Sequence, residues 1–254
     1  MNDASPSRPR TPALALPANL GAALPAGATR IAVDVLGRRI ANDTYRPETV
    51  MPTEPELACS LGVSRATVRD AIKVLSGKGM VRTARRYGTR VRPVEEWNLL
   101  DADVAAWHDP SHPRLQLMFA ETTELRSIIE PKAAALAAER ATGEQVAAIL
   151  EAAYAMHPED GAVDDLFAAD CAFHATILDA TGNLLMRQLR PIFLTMLRIS
   201  YEYGVLFKNQ GPVSRAGHIG VAEAIKRRDP VAAEAEMTNM LELNRRAAQG
   251  PGHG

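Results

Sequence analysis

The sequence predicts a mainly α protein with an N-terminal winged helix-turn-helix and a C-terminal all-α antiparallel helical bundle. A glycine turn followed by a capped amphipathic helix lies at 61–75, six helical patterns follow residue 113, and basic side chains are concentrated before residue 93. The chain has 254 residues, of which 46% are hydrophobic and 5% aromatic, so it is long enough for two domains and its composition favours helices over sheets.

The helix-turn-helix is predicted between Thr53 and Leu75. Thr53 and Glu56 have the spacing of a capping box that opens a short first helix. Gly62 suits the turn, and Ser64 is a natural N-cap for the second helix. The apolar residues of the second helix recur at helical spacing, which leaves its polar residues free to meet DNA. The apolar set is Val68, Ala71, Ile72 and Leu75, and the polar set is Arg65, Thr67, Arg69 and Lys73.

A basic β-wing is predicted directly after this helix. Residues 80–83 and 89–92 alternate between apolar and polar side chains around a turn at 84–88. Two short strands joined in this way form a hairpin. The arginines of the hairpin make this predicted wing basic.

Charge is divided unevenly along the chain. Residues 1–92 carry 15 Lys and Arg against 7 Asp and Glu, a formal charge of +8. Residues 93–254 carry 14 against 23, a formal charge of −9. The basic part can supply the phosphate attraction that dominates nucleic-acid affinity, while the acidic part would be repelled by DNA. We therefore expect double-stranded DNA as a partner of the N-terminal domain.

Hydropathy and cysteine usage predict a cytoplasmic protein. The chain contains no apolar run of 18 residues and no signal-peptide pattern, so we expect no membrane partner. Cys59 and Cys171 fall in different predicted helices and different domains. This separation favours buried free thiols over a disulfide.

The chain divides into four predicted segments. Residues 1–28, rich in Pro, Ala and Ser, are predicted to be a disordered tail, and residues 29–92 form the winged helix-turn-helix. Residues 93–113 form a linker with a docked helix near 98–108, and residues 114–248 form the helical domain. Its predicted helices cover 114–140, 143–156, 163–181, 183–207, 214–228 and 230–247.

Three residues of the helical domain have the chemistry of a metal site. Asp170 and His174 are four apart on one predicted helix, so their side chains project from the same face. His218 begins another helix that folding can bring opposite them. These ligand types favour zinc, with nickel or manganese as alternatives. An ordinary ion pair on a helix surface also accounts for the spacing of Asp170 and His174.

The N-terminal motifs together resemble the GntR family of bacterial transcription factors. The resemblance runs from Ala28 to Arg92 and includes Met51-Pro52-Thr53-Glu54, Val63-Ser64-Arg65, Gly79-Met80-Val81 and Gly88-Thr89. It implies that Arg65, Thr67 and Arg69 contact phosphates and base edges in the major groove, that Ser64 assists, and that Tyr87 and Gly88 of the wing approach the minor groove. Pro55 and Ala66 depart from the family pattern, which leaves the operator sequence open.

The C-terminal half resembles the FCD effector-binding domain of the FadR-like branch of that family. The resemblance rests on Glu124 to Pro131, Asp170 to His174, Thr181-Gly182-Asn183 and His218-Ile219. It implies that Asp170, His174 and His218 hold a divalent ion and that Arg126 binds an effector carboxylate. The fourth family ligand, expected 22 residues after His218, is Met240 here. This departure leaves open a metal-free site whose Asp and His side chains bind polyol hydroxyls directly.

The linker narrows the expected effector. Its segment Trp97 to Trp107 is similar to that of FCD regulators responding to sugar acids, especially D-galactonate operon repressors. Arg198 and Glu202 are secondary effector-binding candidates on the same resemblance. We expect a homodimer that represses sugar-acid catabolism genes by binding operator DNA and is released by a small carboxylate. Alternatives are another carboxylate effector, such as a hydroxy acid, an amino acid or a fatty acyl thioester, or a metal-dependent hydrolase.

Overall fold

The computed structural model describes residues 26–156, 162–203 and 215–249, with side chains up to residue 242. The predicted tail falls almost entirely outside these ranges. The elements, in chain order, are α1 (Ala28–Ala41), α2 (Glu54–Leu61), α3 (Arg65–Gly77), β1 (Val81–Ala84), β2 (Gly88–Val91), α4 (Ala102–Trp107), α5 (Pro113–Arg140), α6 (Gly143–Tyr154), α7 (Val163–Ala180), α8 (Leu184–Gln188), α9 (Arg190–Ser200), α10 (Arg215–Lys226) and α11 (Pro230–Gln249).

The N-terminal domain is a winged helix-turn-helix, as predicted. Thr53 and Glu56 form a capping box at α2, and Gly62 ends that helix with a left-handed φ of 64°. Ser64 caps α3 by accepting a hydrogen bond from the Thr67 amide at 3.0 Å. The wing strands β1 and β2 pair antiparallel, with Val81 opposite Val91. The helices and the wing share one core, which includes Leu36, Leu75 and Met80.

The linker packs onto the N-terminal domain. Trp97, Val104 and Trp107 are buried in the same core as α1 and α3. The Trp107 indole donates to Asp34 Oδ1 at 3.0 Å. A Cβ atom at Gly37 would lie 2.4 Å from the Trp107 ring, so glycine is required where the ring crosses α1. The N-terminal domain and the linker are therefore packed together as one unit.

The C-terminal domain is an α-helical bundle around α5. Four alanines of this helix are buried, and α10 and α11 pack closely against it because small side chains let the backbones approach. The four are Ala133, Ala134, Ala137 and Ala138. Helices α7 and α9 also pack against each other and against α5. The faces of α5, α7 and α10 that meet inside the bundle carry the polar residues described below.

Two predictions were wrong in detail. The helix predicted over 183–207 is broken between α8 and α9, because Pro191 has no amide hydrogen for the bond that a continuous helix would need to Arg187. The remainder of that predicted range, 204–207, lies outside the described residues. Cys171 is buried, but Cys59 is exposed, because it lies on the outer face of α2 whereas Leu57 and Ala58 face the core.

Candidate functional site

Helix α3, the second helix of the helix-turn-helix, is the predicted recognition helix. It presents its predicted DNA-contacting residues on the open face. Arg65 and Arg69 are exposed, while Val68, Ala71 and Ile72 face the core. The predicted division between an apolar and a polar face is therefore realised. Arg65 carries a guanidinium that can reach base edges in a major groove.

Three of the predicted DNA contacts already have partners within the domain. The Ser64 hydroxyl lies 2.9 Å from the Thr67 hydroxyl, in addition to its role as N-cap. Arg69 Nη2 donates to Glu54 Oε2 at 2.9 Å, although the Arg69 side chain remains 60% exposed. Glu54 thus holds the Arg69 guanidinium close to the start of α2. Within this group Arg65 is the one side chain whose length and exposure leave it available for a base.

The wing ends in a basic, exposed tip. Tyr87 is 79% exposed, and Gly88 takes a positive φ of 74° at the turn. Arg85 and Arg86 are exposed beside them and were not singled out as contacts from the sequence. The excess of arginines in the hairpin turn of the sequence could have indicated these two residues. The tip can therefore offer two guanidinium groups as well as an aromatic ring to a groove.

Asp170, His174 and His218 meet inside the helical bundle. Asp170 and His174 lie on α7 and His218 lies on α10, and each is at most 2% exposed. Asp170 Oδ1 is 3.0 Å from His218 Nε2 and 3.3 Å from His174 Nε2. One ligand atom from each residue lies within 4.8 Å of the others. The alternative of a solvated surface pair is wrong, because all three side chains are buried.

Arg126 and Glu130 complete the buried cluster from α5. Arg126 Nε donates to Glu130 Oε1 at 2.6 Å, and its Nη2 lies 3.3 Å from His174 Nε2. Glu130 Oε2 lies 3.0 Å from His174 Nδ1. With a carboxylate holding the proton at Nδ1, Nε2 is the nitrogen that would give up its proton and bind an ion. Glu130 therefore orients both the predicted effector-binding arginine and a predicted metal ligand.

The charges of the cluster hold one another ionised. Burial alone would raise the pKa of Glu130, but the positive charges of Arg126 and His174 outweigh it and lower that pKa to about 2. Burial likewise would raise the pKa of Asp170, yet His174 and His218 hold it well below its usual range. Burial would lower the pKa of His174, but Glu130 and Asp170 raise it to about 9. Two carboxylates are thus balanced by two cations.

The donor set fits a divalent ion. Ligand atoms that are each about 2.1 Å from a tetrahedral or octahedral ion lie about 3.0–3.4 Å apart, and the Asp170 contacts to the two histidines match that spacing. Met240 of α11 is buried next to α10, where a Cβ atom at Gly217 would lie 2.7 Å from Met240 Cγ. A thioether therefore occupies the position that the family resemblance assigned to a fourth ligand.

Arg198 and Glu202 form a separate buried pair. Arg198 Nε donates to Glu202 Oε1 at 2.8 Å, and the two residues are 9% and 7% exposed. Arg198 belongs to α9, and Glu202 lies in the π-helical stretch 201–203 that follows it. Their spacing of four residues accounts for the pairing. Contact with an effector remains a prediction for both residues.

Sequence reasoning missed two members of this region. Glu130 was part of the quoted Glu124 to Pro131 motif, but its spacing of four from Arg126 was not used. Tyr201 is 2% exposed, and its hydroxyl has no hydrogen-bond partner among the described residues. The sequence could have indicated Tyr201 because its hydroxyl is a polar group on a helix face that is otherwise apolar.

Comparisons with known proteins decide the family. Residues 29–91 match the bacterial regulatory proteins of the gntR family, and residues 121–243 match the FCD domain. The HTH-type transcriptional regulator YieP of Escherichia coli K12 is 33% identical over 165 residues, which are 64% of this chain and 71% of that protein. The chain belongs to the GntR family of bacterial transcriptional regulators.

Other relatives are also regulators. The galactonate operon transcriptional repressor of Escherichia coli K12 is 29% identical over 212 residues, covering 82% of this GntR regulator and 91% of that protein. The transcriptional repressor NanR of Salmonella newport is 29% identical over 75% of this chain and 74% of its own. The protein is thus a regulator and not an enzyme, which removes the hydrolase alternative.

A solved structure supports the fold of this GntR regulator. Lar, which controls expression of the Listeria monocytogenes agr system, superposes with a TM-score of 0.55 at 18% identity, over 91% of this chain and 100% of that one. None of the helices within the described ranges combines the length and apolar character that a membrane span needs.

Proposed function

We propose that the protein is a homodimeric repressor that binds operator DNA through α3 and the wing and releases it when a sugar acid binds in the helical domain beside a divalent ion. The observation that carries this proposal is the buried cluster of Asp170, His174 and His218 with Arg126 directly against it. Cationic and metal-ligating groups packed together inside a sensor domain suit an anionic ligand rich in oxygen.

The DNA contact rests on exposed cations. Arg65 of α3 would read a guanine through its bidentate fork, and Arg69 would act on phosphate while Glu54 orients it. Ser64, Thr67, Tyr87 and Gly88 would support this contact from the helix start and the wing tip. Two copies would present two such helices to the half-sites of a pseudo-palindromic operator, which is the reason for proposing a homodimer.

Asp170, His174 and His218 would hold the ion, with zinc favoured over nickel or manganese. When bound, the ion supplies Lewis-acid coordination sites for ligand oxygens. Metal-ligating histidines are neutral, so the buried charges of Asp170, Glu130, Arg126 and a divalent ion together come to one positive charge. A monocarboxylate would neutralise that charge, which favours a sugar acid over a neutral sugar.

Arg126 would bind the effector carboxylate by exchanging part of its contact with Glu130. Its Nη2 donates to Glu130 Oε2 at 3.4 Å, a longer contact than the Nε donation at 2.6 Å, so this nitrogen is the one more easily turned to a ligand. The name of the galactonate operon repressor, with 91% of its length aligned, favours D-galactonate or a related sugar acid. A hydroxy acid, an amino acid or a fatty acyl thioester is the second candidate class.

The helix α5 provides a route from the effector site to the DNA-binding domain. Near its start, Arg114 donates to Ala41 O at 2.7 Å and to Asp43 Oδ1 at 3.0 Å, and His112 Nε2 lies 3.1 Å from Asp43 Oδ2. Arg126 follows 12 residues later, about 18 Å along the same helix. A ligand that moves Arg126 would therefore bias the position of α1 through α5. If the ligand binds one arrangement of these helices more tightly than the other, that difference in affinity is sufficient to release the DNA.

The test is a thermal-shift screen of sugar acids with and without EDTA, followed by gel shift on the DNA upstream of the protein's own gene. We expect stabilisation by D-galactonate or D-gluconate that EDTA diminishes, and loss of the DNA complex when that ligand is added. Arg126→Lys keeps the charge but loses the fork, so it should weaken the thermal shift. A ligand response unchanged in Arg126→Lys and in EDTA would contradict the proposal.

A further inference from the structure

The hydroxyl of Tyr201 is a buried polar group without a partner among the described residues. The residue is 2% exposed, and its oxygen accepts and donates no hydrogen bond there. Buried hydroxyl groups in native proteins are nearly always hydrogen-bonded, and leaving one unpaired is destabilising. An unpaired hydroxyl beside a ligand site therefore points to a partner that arrives with the ligand.

Tyr201 packs against the first half of α7. Its ring packs edge-on against Phe167 with centroids 5.1 Å apart, and Cys171 belongs to the same cluster. Phe167 is one helical turn before Asp170, so the phenol is beside the turn of α7 that carries the predicted metal ligand. The phenol therefore belongs to an apolar cluster that adjoins the turn of α7 carrying Asp170.

Two charges of the site act on this phenol. Burial raises its pKa above the usual range, the negative charge of Asp170 adds to that effect, and the positive charge of Arg126 opposes it. The hydroxyl thus keeps its proton and can donate it.

The backbone at this position has an uncommon geometry. Residues 201–203 are π-helical directly after α9. Such turns are rare in α-helices and occur frequently at functional sites, because they re-aim side chains at the cost of regular hydrogen bonding. This second observation is independent of the unpaired oxygen. The unpaired hydroxyl and the π-helical backbone therefore both occur at Tyr201.

A hydroxyl group is the ligand group whose chemistry suits both the Tyr201 phenol and the Asp170 carboxylate. A second carboxylate beside Asp170 would be repelled, whereas a hydroxyl can accept from the phenol and donate to a carboxylate. With the effector carboxylate at Arg126, the nearest hydroxyl is the one on the adjoining carbon. We propose that Tyr201 is a specificity-determining residue that donates a hydrogen bond to the 2-hydroxyl oxygen of a hydroxy-carboxylate effector. This inference rests on the proposed function and names one contact within it.

The test compares Tyr201→Phe with Tyr203→Phe in the full-length, zinc-loaded protein. Tyr203 is a matched control because it is 4% exposed and packs against Phe119 in a different apolar cluster. Calorimetry would measure affinity for D-galactonate and D-gluconate and for their 2-deoxy analogues. We expect Tyr201→Phe to weaken binding of the hydroxy acids about tenfold and to leave the 2-deoxy analogues unaffected, as one lost hydrogen bond implies. Tyr203→Phe should change neither.

Two further readouts separate a ligand contact from a structural role. In the ligand-free protein, Tyr201→Phe should melt at the same or a higher temperature, since it removes an unsatisfied group, and its zinc affinity should stay within twofold of the parent. A lower melting temperature, or equal loss of affinity for hydroxy and 2-deoxy acids, would overturn the assignment of Tyr201 alone. If the parent binds none of the four acids, the proposed function fails and this inference fails with it.

Discussion

Glu130 is predicted to be the residue on which the stability of the buried cluster most depends. It accepts from Arg126 Nε at 2.6 Å and lies 3.0 Å from His174 Nδ1, while being 2% exposed. Glu130→Leu would leave the buried Arg126 guanidinium without its closest counter-charge and His174 without the partner at Nδ1. Breaking a buried ion pair by removing one partner costs about 3–5 kcal/mol, so we expect a loss of that size.

Two companion variants test the physical cause. Glu130→Gln keeps the shape and one acceptor but loses the charge, so it should cost about 1.5–3 kcal/mol, the range for a hydrogen bond to a charged group. Arg126→Met combined with Glu130→Leu removes both members of the pair. Because apolar replacement of a whole buried pair is often neutral, this double variant should be more stable than Glu130→Leu alone.

The assay is urea unfolding at pH 7.5 in EDTA, followed by two signals. Far-ultraviolet circular dichroism is dominated by the helical domain, whereas both tryptophans, Trp97 and Trp107, lie in the N-terminal core and report on that domain by fluorescence. We expect the dichroism midpoint to shift more than the fluorescence midpoint. A loss below about 1 kcal/mol for Glu130→Leu, or a double variant no more stable than it, would refute the electrostatic reasoning.

Three further predictions follow from exposed and buried groups elsewhere. Arg65→Ala should weaken operator binding about 5- to 150-fold in gel shift, from the 1–3 kcal/mol of a bidentate base contact, with unchanged melting temperature because the side chain is exposed. Arg187 is an exposed arginine of α8 in the helical domain. If Arg187→Ala weakened operator binding as much as Arg65→Ala, the role of Arg65 in base contact would be contradicted. Burial first, and Arg114 second, lower the pKa of His108 to about 4, below the unfolded value near 6.5. Between pH 4 and 6.5 the unfolded chain therefore binds more protons than the folded protein. The free energy of unfolding should fall as the pH drops from 6.5 to 4, by up to about 1.4 kcal/mol per pH unit. Melting curves recorded across this pH range should show a weaker pH dependence for His108→Leu. Lys78 at the end of α3 donates to Asp101 at 2.7 Å and Asp103 at 2.8 Å. Because Asp101 and Asp103 belong to the linker, this contact joins α3 to the segment that leads to the helical domain. Lys78→Met should therefore reduce effector-induced DNA release more than DNA affinity. An unaltered release curve would argue against coupling through this contact.

Local features were the most predictable from the sequence. The Thr53 capping box, the Gly62 turn and the Ser64 cap were predicted and are present, because caps and turns depend on residues at most four apart. Pro191 was visible in the sequence, yet the apolar pattern of 183–207 continued across it, so the break between α8 and α9 was missed. The exposure of Cys59 was missed because burial on a short helix depends on which neighbours cover it.

The cluster was predicted only in part. Asp170 and His174 could be paired from their spacing, and His218 was a candidate from its place at the start of another helix, which the family resemblance then supported. The contact of Arg126 with His174 joins residues 48 apart, and no periodicity within either helix indicates it. Tyr201 could not be distinguished from a core aromatic, because an unpaired hydroxyl becomes evident only when every neighbour is in place.

By itself, the amino-acid sequence determined the family, the two-domain organisation and the polar face of the recognition helix. These properties follow from local propensity, charge distribution and motif spacing, which act before any long-range contact forms. The tertiary structure alone decided that Glu130 orients both Arg126 and His174, and that the buried Tyr201 hydroxyl has no hydrogen-bond partner among the described residues. The physical reason is that buried charges are stabilised by partners from several helices, and packing determines which partners meet.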